Sequence, residues 1–340
     1  MGPAVAGSGA EPMIDNGSHF LDRVPGMPLP RRSTRIAALA AALLGASVLA
    51  GCGDGSSGSG TADDPLQVVA SFYPLQWMAQ QVGGERVEVS SLTAPGAEPH
   101  DLELTPRDVG SIQDAAAVVY LSDFQPNVDE AVGEARGPVL DARDATEFLP
   151  AGGHHDEEED AGDDHDHVDD PHFWLDPTKL AEVGLAFADT LADADPDHAA
   201  DYRANARELA DQLSELDGEL QSGLADCAQP DLVTSHEAFG YLAARYGFEQ
   251  VGITGLAPDA DPSAKDVAQV ADFVREHGVT TIYFETLTSP AVARTLASET
   301  GAATAVLDPL EGLTDQSDGD DYPSVMRSNL ATLRQGQECS

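Results

Sequence analysis

Short runs of apolar, mostly β-branched residues alternate with segments of helical periodicity along most of the chain. Two sets of four runs are predicted as strands: Leu66–Ser71, Val87–Leu92, Ala117–Leu121 and Val139–Asp141, then Leu232–Ser235, Gln250–Thr254, Thr281–Glu285 and Ala303–Leu307. Helical patterns fall between them at Leu75–Val82, Pro106–Gln113, Ser263–Glu276, Pro290–Thr300 and Tyr322–Leu333. Such alternation favours parallel sheets built from strand–helix–strand units. We therefore predict an α/β fold of two lobes, each with a parallel four-stranded sheet flanked by helices.

A longer helical segment, from about Asp197 to Leu224, separates the two sets of strands. Its leucines recur every three or four residues and so share one helix face: Leu209, Leu213, Leu216, Leu220 and Leu224. At 1.5 Å per residue such a helix spans ~40 Å, enough to join both lobes as one long rigid linker. The alternative is a pair of ordinary helices broken near Gly218.

The N-terminal segment carries a targeting pattern. Three arginines (Arg31, Arg32 and Arg35) precede fifteen uncharged residues, Ile36 to Ala50, which suits a signal peptide better than a membrane span. The segment ends in Leu49-Ala50-Gly51-Cys52, which is similar to the lipobox of bacterial lipoproteins, whose cysteine is lipidated. The alternative is an ordinary signal peptide with a chance cysteine.

These patterns predict the division of the chain. Residues 1–26 match no targeting region, so we expect translation to start at Met27. The expected segments are a signal segment with lipobox at 1–52, a flexible Gly/Ser tether at 53–64, an N-terminal lobe at 65–194, a linking helix at 195–226 and a C-terminal lobe at 227–340.

The chain is strongly acidic, with 60 acidic and 17 basic residues and a formal charge of −43. A field of this sign repels nucleic acid and anionic lipid, so we predict no nucleic-acid partner. Most of the acids are explained by solubility alone. Because such a protein would not bind a membrane unaided, a lipid on Cys52 is the physically reasonable anchor.

One segment, residues 152–170, has ten acids, four histidines and almost no apolar residue. It cannot bury itself, so we predict a disordered loop. Its histidines predict an auxiliary weak zinc site: His154, His155, His165 and His167.

Two cysteines remain after Cys52. Outside the cytoplasm an even pair favours a disulfide, which would join Cys227 to Cys339 and fasten the C-terminus to the start of the second half. The alternative is two free thiols.

Four residues predict a metal site: His100, His172, His236 and Asp308. Three of them follow predicted strands, and ligands of open α/β sheets bind beyond the carboxyl ends of strands. The fourth, His172, precedes a helix start marked by Asp176-Pro177. Three imidazoles and a carboxylate complete a tetrahedral zinc shell and suit zinc better than manganese. With two ligands from each lobe, the ion would lie in the cleft between them.

A zinc hydrolase is the main rival. A catalytic zinc keeps one position open for water, in which case Asp308 would be a base and not a ligand. Glu237 and Glu285 are the spare candidate bases, but both also suit the orientation of a ligand. The sequence has no His-Glu-x-x-His stretch and no nucleophile elbow, so we predict that the protein is not an enzyme.

From about Leu66 to the C-terminus the chain resembles the zinc-binding solute-binding lipoproteins of bacterial metal ABC importers. The resemblance is carried by three motifs: Gly96–His100, Pro171–Pro177 and Thr234–Tyr241. It implies two lobes on a rigid helix, Zn²⁺ as the transported ligand and four metal ligands, His100, His172, His236 and Asp308. Manganese members tend to carry a carboxylate where this chain has His236.

The resemblance also implies a place of action and partners. We expect a monomer that is lipid-anchored at the outer face of the plasma membrane and delivers zinc to an ABC permease and its ATPase. Manganese transport and a metal-binding adhesin or buffer without a transporter are the alternatives that the residues leave open.

Overall fold

Two parallel four-stranded sheets form the frame of the protein. The computed structural model describes residues 64–151, 168–258 and 260–340. The first sheet has the order β2-β1-β3-β4, with β1 Leu66–Ala70, β2 Val87–Ser91, β3 Ala117–Tyr120 and β4 Val139–Asp141. The second repeats this order as β6-β5-β7-β8, with β5 Asp231–Thr234, β6 Glu249–Gly252, β7 Thr281–Phe284 and β8 Ala303–Val306. The predicted fold class and all eight strand positions are confirmed.

Helices cover the sheets: α1 Tyr73–Gly83, α2 Pro106–Asp114, α3 Pro126–Val132, α4 Pro177–Ala194, α5 Ala199–Leu224, α6 Gly240–Tyr246, α7 Ala264–His277, α8 Ala291–Thr300 and α9 Tyr322–Gly336. Several begin at the caps that their sequences encode. Asp176 accepts a hydrogen bond from the Thr178 amide at the start of α4, and Pro177 occupies the first helical position. Among the described residues, no helix combines the length and hydrophobicity that crossing a bilayer requires.

The central helix α5 is a single unbroken helix of 26 residues, so the alternative break at Gly218 does not occur. All five leucines of its predicted stripe are buried. The helix packs against α1 and α4 on the side of the first sheet and against α6 and α9 on the side of the second. It therefore connects both halves through one apolar face.

The two halves share one hydrophobic core. Its buried residues come from both central strands and from α5, with Val68, Leu216 and Leu232 as examples. Two smaller clusters cover the far faces of the sheets, one around Ile112 and the other around Ile282. Because side chains of both halves interdigitate around α5, the packing resists a wide hinge motion.

The predicted loop at residues 152–170 extends too far at its C-terminal end. Asp169 bridges Pro150 in an antiparallel pair, and the Asp170 amide donates to the Leu149 carbonyl at 2.8 Å. Asp170 is buried, because its carboxylate has a histidine partner that the composition of the segment did not reveal. Other predicted features lie outside the described residues: Cys52 with its signal segment, and His154, His155, His165 and His167.

Cys227 and Cys339 form the predicted disulfide, which closes a loop with a sequence separation of 112.

We expect the double substitution Cys227→Ala/Cys339→Ala to lower the free energy of unfolding by roughly 2–5 kcal/mol, since the open chain gains entropy mainly in its unfolded state. Denaturant titration followed by circular dichroism would measure the change. Reduction of the unmodified protein should reproduce it, and equal midpoints for all three samples would contradict it.

Candidate metal centre

Three histidines and one glutamate bring their ligand atoms to within 4.8 Å of one another: His100, His172, His236 and Glu311. The last three have side chains that are at most 1% exposed, whereas His100 keeps 14% of its side chain exposed. Oε1 of Glu311 faces the Nε2 atoms of His100, His172 and His236 at 3.4, 3.1 and 3.4 Å. Four atoms that can each bind a metal ion therefore surround one small buried space.

The separations between the carboxylate oxygen and the three nitrogens have the size that a tetrahedral zinc site needs. When zinc–nitrogen and zinc–oxygen bonds are ~2.0–2.1 Å long, the corners of the tetrahedron lie about 3.3 Å apart. The nitrogen–oxygen distances of 3.1–3.4 Å match that edge. All four ligand atoms lie within 4.8 Å of one another, so one ion can be reached by all of them.

Three of the four residues follow the carboxyl ends of strands, and the fourth precedes a helical turn. His100 lies in the connection that follows β2, and His236 follows β5 by two residues. Glu311 lies beyond the end of β8, while His172 precedes a short 3-10 turn, Phe173–Leu175, that leads into α4. The site thus occupies the edge where ligands of open α/β sheets are expected.

Two carboxylates hold two of the imidazoles in place. Asp170 Oδ1 lies 2.7 Å from His172 Nδ1, and Glu285 Oε1 lies 2.6 Å from His236 Nδ1. When each Nδ1 donates to its carboxylate, each Nε2 is left to present its lone pair to an ion. Ser235 adds a hydroxyl hydrogen bond to the same oxygen of Glu285. Glu285 is therefore positioned to orient a ligand.

The same contacts set the charges of the metal-free site. Burial alone would lower the pKa of His236, but the negative charge of Glu285 outweighs it and raises that pKa to about 10. Burial would also lower the pKa of His172, but the negative charge of Asp170 outweighs this effect, so the pKa of His172 is raised as well. Burial would raise the pKa of Glu311, yet the three facing histidines hold it well below the usual range. Without metal, the raised pKa values of His172 and His236 favour charged imidazoles that balance the buried carboxylate.

Asp308, predicted as the fourth ligand, does not belong to this cluster in the described structure, and Glu311 takes that position. Both carboxylate oxygens of Asp308 are engaged in its own loop. Oδ1 accepts from the Leu310 amide at 2.8 Å, and Oδ2 accepts from the Ser317 hydroxyl at 2.7 Å. The Asn329 side chain also bonds the backbone N–H and C=O of Asp308. Asp308 thus builds the turn from which Glu311 projects.

That turn is strained at Leu310, whose φ of 59° lies in the left-handed region that a leucine rarely adopts. The strain is sustained because the Leu310 side chain is fully buried and its amide is bound by Asp308. Leu310 can enter the core while Glu311 faces the histidines.

The sequence contained a signal for Glu311 that the prediction did not use. An Asp-Pro pair favours a turn in which the aspartate bonds a backbone amide two residues onward. A carboxylate engaged in this way is poorly placed to bind a metal. The next acidic residue after the turn, Glu311, was therefore the better candidate.

Comparisons with known proteins agree with this fold. The family model of ZnuA, described as "Zinc-uptake complex component A periplasmic", matches residues 68–336. The zinc-binding protein AdcA of Streptococcus pyogenes is 39% identical over 292 residues, covering 80% of this chain and 56% of that protein. The chain thus spans little more than half the length of that relative.

A second relative is matched over nearly its whole length. The high-affinity zinc uptake system protein ZnuA of Bacillus subtilis is 37% identical over 297 residues, covering 84% of this chain and 93% of that protein. Among solved structures, the Zn(II)-bound ZnuA-like domain of Streptococcus pneumoniae AdcA is 34% identical, with a TM-score of 0.68. That match covers 81% of this chain and 100% of that domain. The chain therefore belongs to the ZnuA family.

Proposed function

We propose that the protein is an extracytoplasmic, high-affinity zinc-binding protein that delivers Zn²⁺ to an ABC-type membrane permease. The observation that carries the proposal is the convergence of three imidazole nitrogens and one carboxylate oxygen within 4.8 Å of one another, with nitrogen–oxygen distances of 3.1–3.4 Å, in a buried site. Two relatives are named as a zinc-binding protein and a zinc uptake protein, and one similar solved structure contains bound Zn(II). These findings support the proposal.

The proposed ligands are His100, His172, His236 and Glu311. Three neutral imidazoles favour zinc over manganese, which prefers shells richer in oxygen. Four protein groups also leave no coordination position for a reactive water, which argues for carriage of the ion and against hydrolysis. The carboxylate nearest to His236, Glu285, is already hydrogen-bonded to the imidazole, so it supports a ligand instead of acting as a free base.

Delivery requires a partner and a place. We infer that the partners are a permease and its ATPase, and that a lipid on Cys52 tethers a monomer to the membrane. The proposed parts are the lobes at 65–194 and 227–340 with the linking helix at 195–226 between them. Zinc binding by the loop histidines stays a prediction from the sequence.

The first test of this function is the metal preference of the mature chain. Because the shell is rich in nitrogen and nearly closed, we expect one tight zinc site per chain and an affinity for manganese that is at least about 100-fold weaker. Calorimetry in competition with a chelator, together with metal analysis of protein purified without added metal, would measure both. Equal affinities, or a zinc complex that retains an exchangeable water ligand, would contradict zinc carriage.

The fourth ligand is tested by a matched pair of carboxylate-to-amide substitutions. Glu311→Gln should weaken zinc binding by at least about 100-fold, because it removes a charged ligand atom. Asp308→Asn should change the affinity by less than about tenfold and act mainly on stability, because it perturbs only the turn. Competition calorimetry and thermal melts of both variants would separate the two roles. A larger affinity loss in Asp308→Asn than in Glu311→Gln would reverse the assignment.

The raised histidine pKa values predict that zinc displaces protons. The pKa of His236 is raised to about 10, so its imidazole is protonated at neutral pH, and the pKa of His172 is raised as well. Any proton on Nε2 must leave before that atom can bind zinc. Affinity should therefore rise with pH through neutrality, and about one to two protons should be released per ion at pH 7. Calorimetry in buffers of different ionisation enthalpy measures the number released. Zero release at pH 7 would show that both imidazoles are already neutral.

A further inference from the structure

The motif around His236 ends in two residues that do not touch the proposed ion, Gly240 and Tyr241 at the start of α6. Both instead contact Asp170, the carboxylate that orients His172. Asp170 is 5% exposed, and its Oδ1 accepts from both the backbone amide and Nδ1 of His172, at 2.9 and 2.7 Å. The position of Asp170 therefore decides where the His172 imidazole points.

Tyr241 holds the backbone of Asp170. Its hydroxyl donates to the Asp170 carbonyl at 3.0 Å and accepts from the Leu149 amide at 2.8 Å. The Leu149 carbonyl in turn accepts from the Asp170 amide at 2.8 Å. The Tyr241 hydroxyl thus joins the two chain segments of the antiparallel bridge that precedes His172. Burial raises the pKa of Tyr241, so the hydroxyl stays protonated and can donate.

Gly240 limits the position of the Asp170 carboxylate. A Cβ added at residue 240 would lie 2.5 Å from Asp170 Oδ2, closer than two such atoms can approach. The carboxylate cannot turn aside without cost, because its other oxygen carries both hydrogen bonds to His172. The absence of a side chain at residue 240 is therefore what lets Asp170 reach its place.

We propose that Gly240 and Tyr241 are positioning residues of the zinc site, which hold Asp170 so that His172 is oriented for the ion. The inference rests on the proposed function. The His236 motif then has two roles. It supplies His236 as one ligand, and through Gly240 and Tyr241, four and five residues further along, it fixes the orientation of another ligand, His172. His172 precedes α5 in the chain, yet its orientation is set by residues that follow α5.

The test compares two tyrosines of α6 that each lose only a hydroxyl. Tyr241→Phe should weaken zinc binding by about 10- to 100-fold, the usual effect of losing an outer partner of a metal ligand. Gly240→Ala should act in the same direction, because its methyl group displaces the carboxylate. Tyr246→Phe is the matched control, since that hydroxyl donates to Asp217 Oδ1 at 3.1 Å and bonds no residue of the metal cluster.

Zinc affinity is measured by chelator competition on the mature chain, with thermal melts to verify folding. The visible absorption bands of the Co²⁺-loaded protein report the geometry of the ligands. We expect Tyr241→Phe and Gly240→Ala to alter these bands and Tyr246→Phe to keep the wild-type affinity and spectrum.

Two results would overturn the inference while zinc binding stands. One is wild-type affinity and spectrum in Tyr241→Phe, and the other is an equal loss in Tyr241→Phe and Tyr246→Phe, which would indicate general destabilisation. Absence of tight zinc binding by the unmodified protein is a different outcome, because it would remove the proposed function and the inference with it.

Discussion

The structure depends on one electrostatic arrangement, in which a glutamate and three imidazoles share a largely buried space. Isolated charges are costly there, so each must be matched by a proton, a metal ion or a hydrogen-bond partner. Oε1 of Glu311 is matched by three imidazole nitrogens, while Asp170 and Glu285 are matched by the outer nitrogens of His172 and His236. A divalent cation bound among these groups would take the place of the protons, which is why binding should depend on pH.

The fold keeps that arrangement rigid. Both sheets point their carboxyl ends at the site, and α5 lies in a core that the two halves share. Further hydrogen bonds cross between the halves close to the ligands: Trp174 Nε1 donates to the Pro309 carbonyl at 2.8 Å, and the Tyr322 hydroxyl donates to the Trp174 carbonyl at 2.5 Å. These bonds hold the segments that carry His172 and Glu311 next to each other, although the two residues are 139 positions apart along the chain. Of the four residues of the cluster, His100 alone has a side chain that is partly exposed.

Most of the frame could be predicted from the sequence because local chemistry and tertiary structure agree there. The central parallel strands β1, β3, β5 and β7 are short, mostly buried runs rich in apolar residues, and all eight strands were predicted within about two residues of their observed ends. The leucine stripe of α5 encodes its burial directly. Helices α3 and α6 were not predicted, because seven residues are too few to show a helical period.

The site was harder to predict than the frame. The three histidines follow strands or precede a helix cap, and their grouping is visible from sequence and topology. The fourth position depends on which oxygen atoms remain free after Asp308 has bonded Leu310 and Ser317, and on a left-handed leucine that no propensity favours. The buried role of Asp170 was concealed by its acidic surroundings in the sequence. Apart from the local Asp-Pro turn, these features arise from three-dimensional contacts that spacing along the chain does not encode.

X-ray absorption at the zinc edge of the loaded protein would examine the closed four-ligand shell itself. We predict a four-coordinate ion with light-atom ligands at ~2.0–2.1 Å and the outer-shell scattering of three imidazoles. The same spectrum should persist when the loop histidines are removed. Fewer than three imidazoles, or a fifth ligand from water, would contradict a zinc ion closed in by His100, His172, His236 and Glu311.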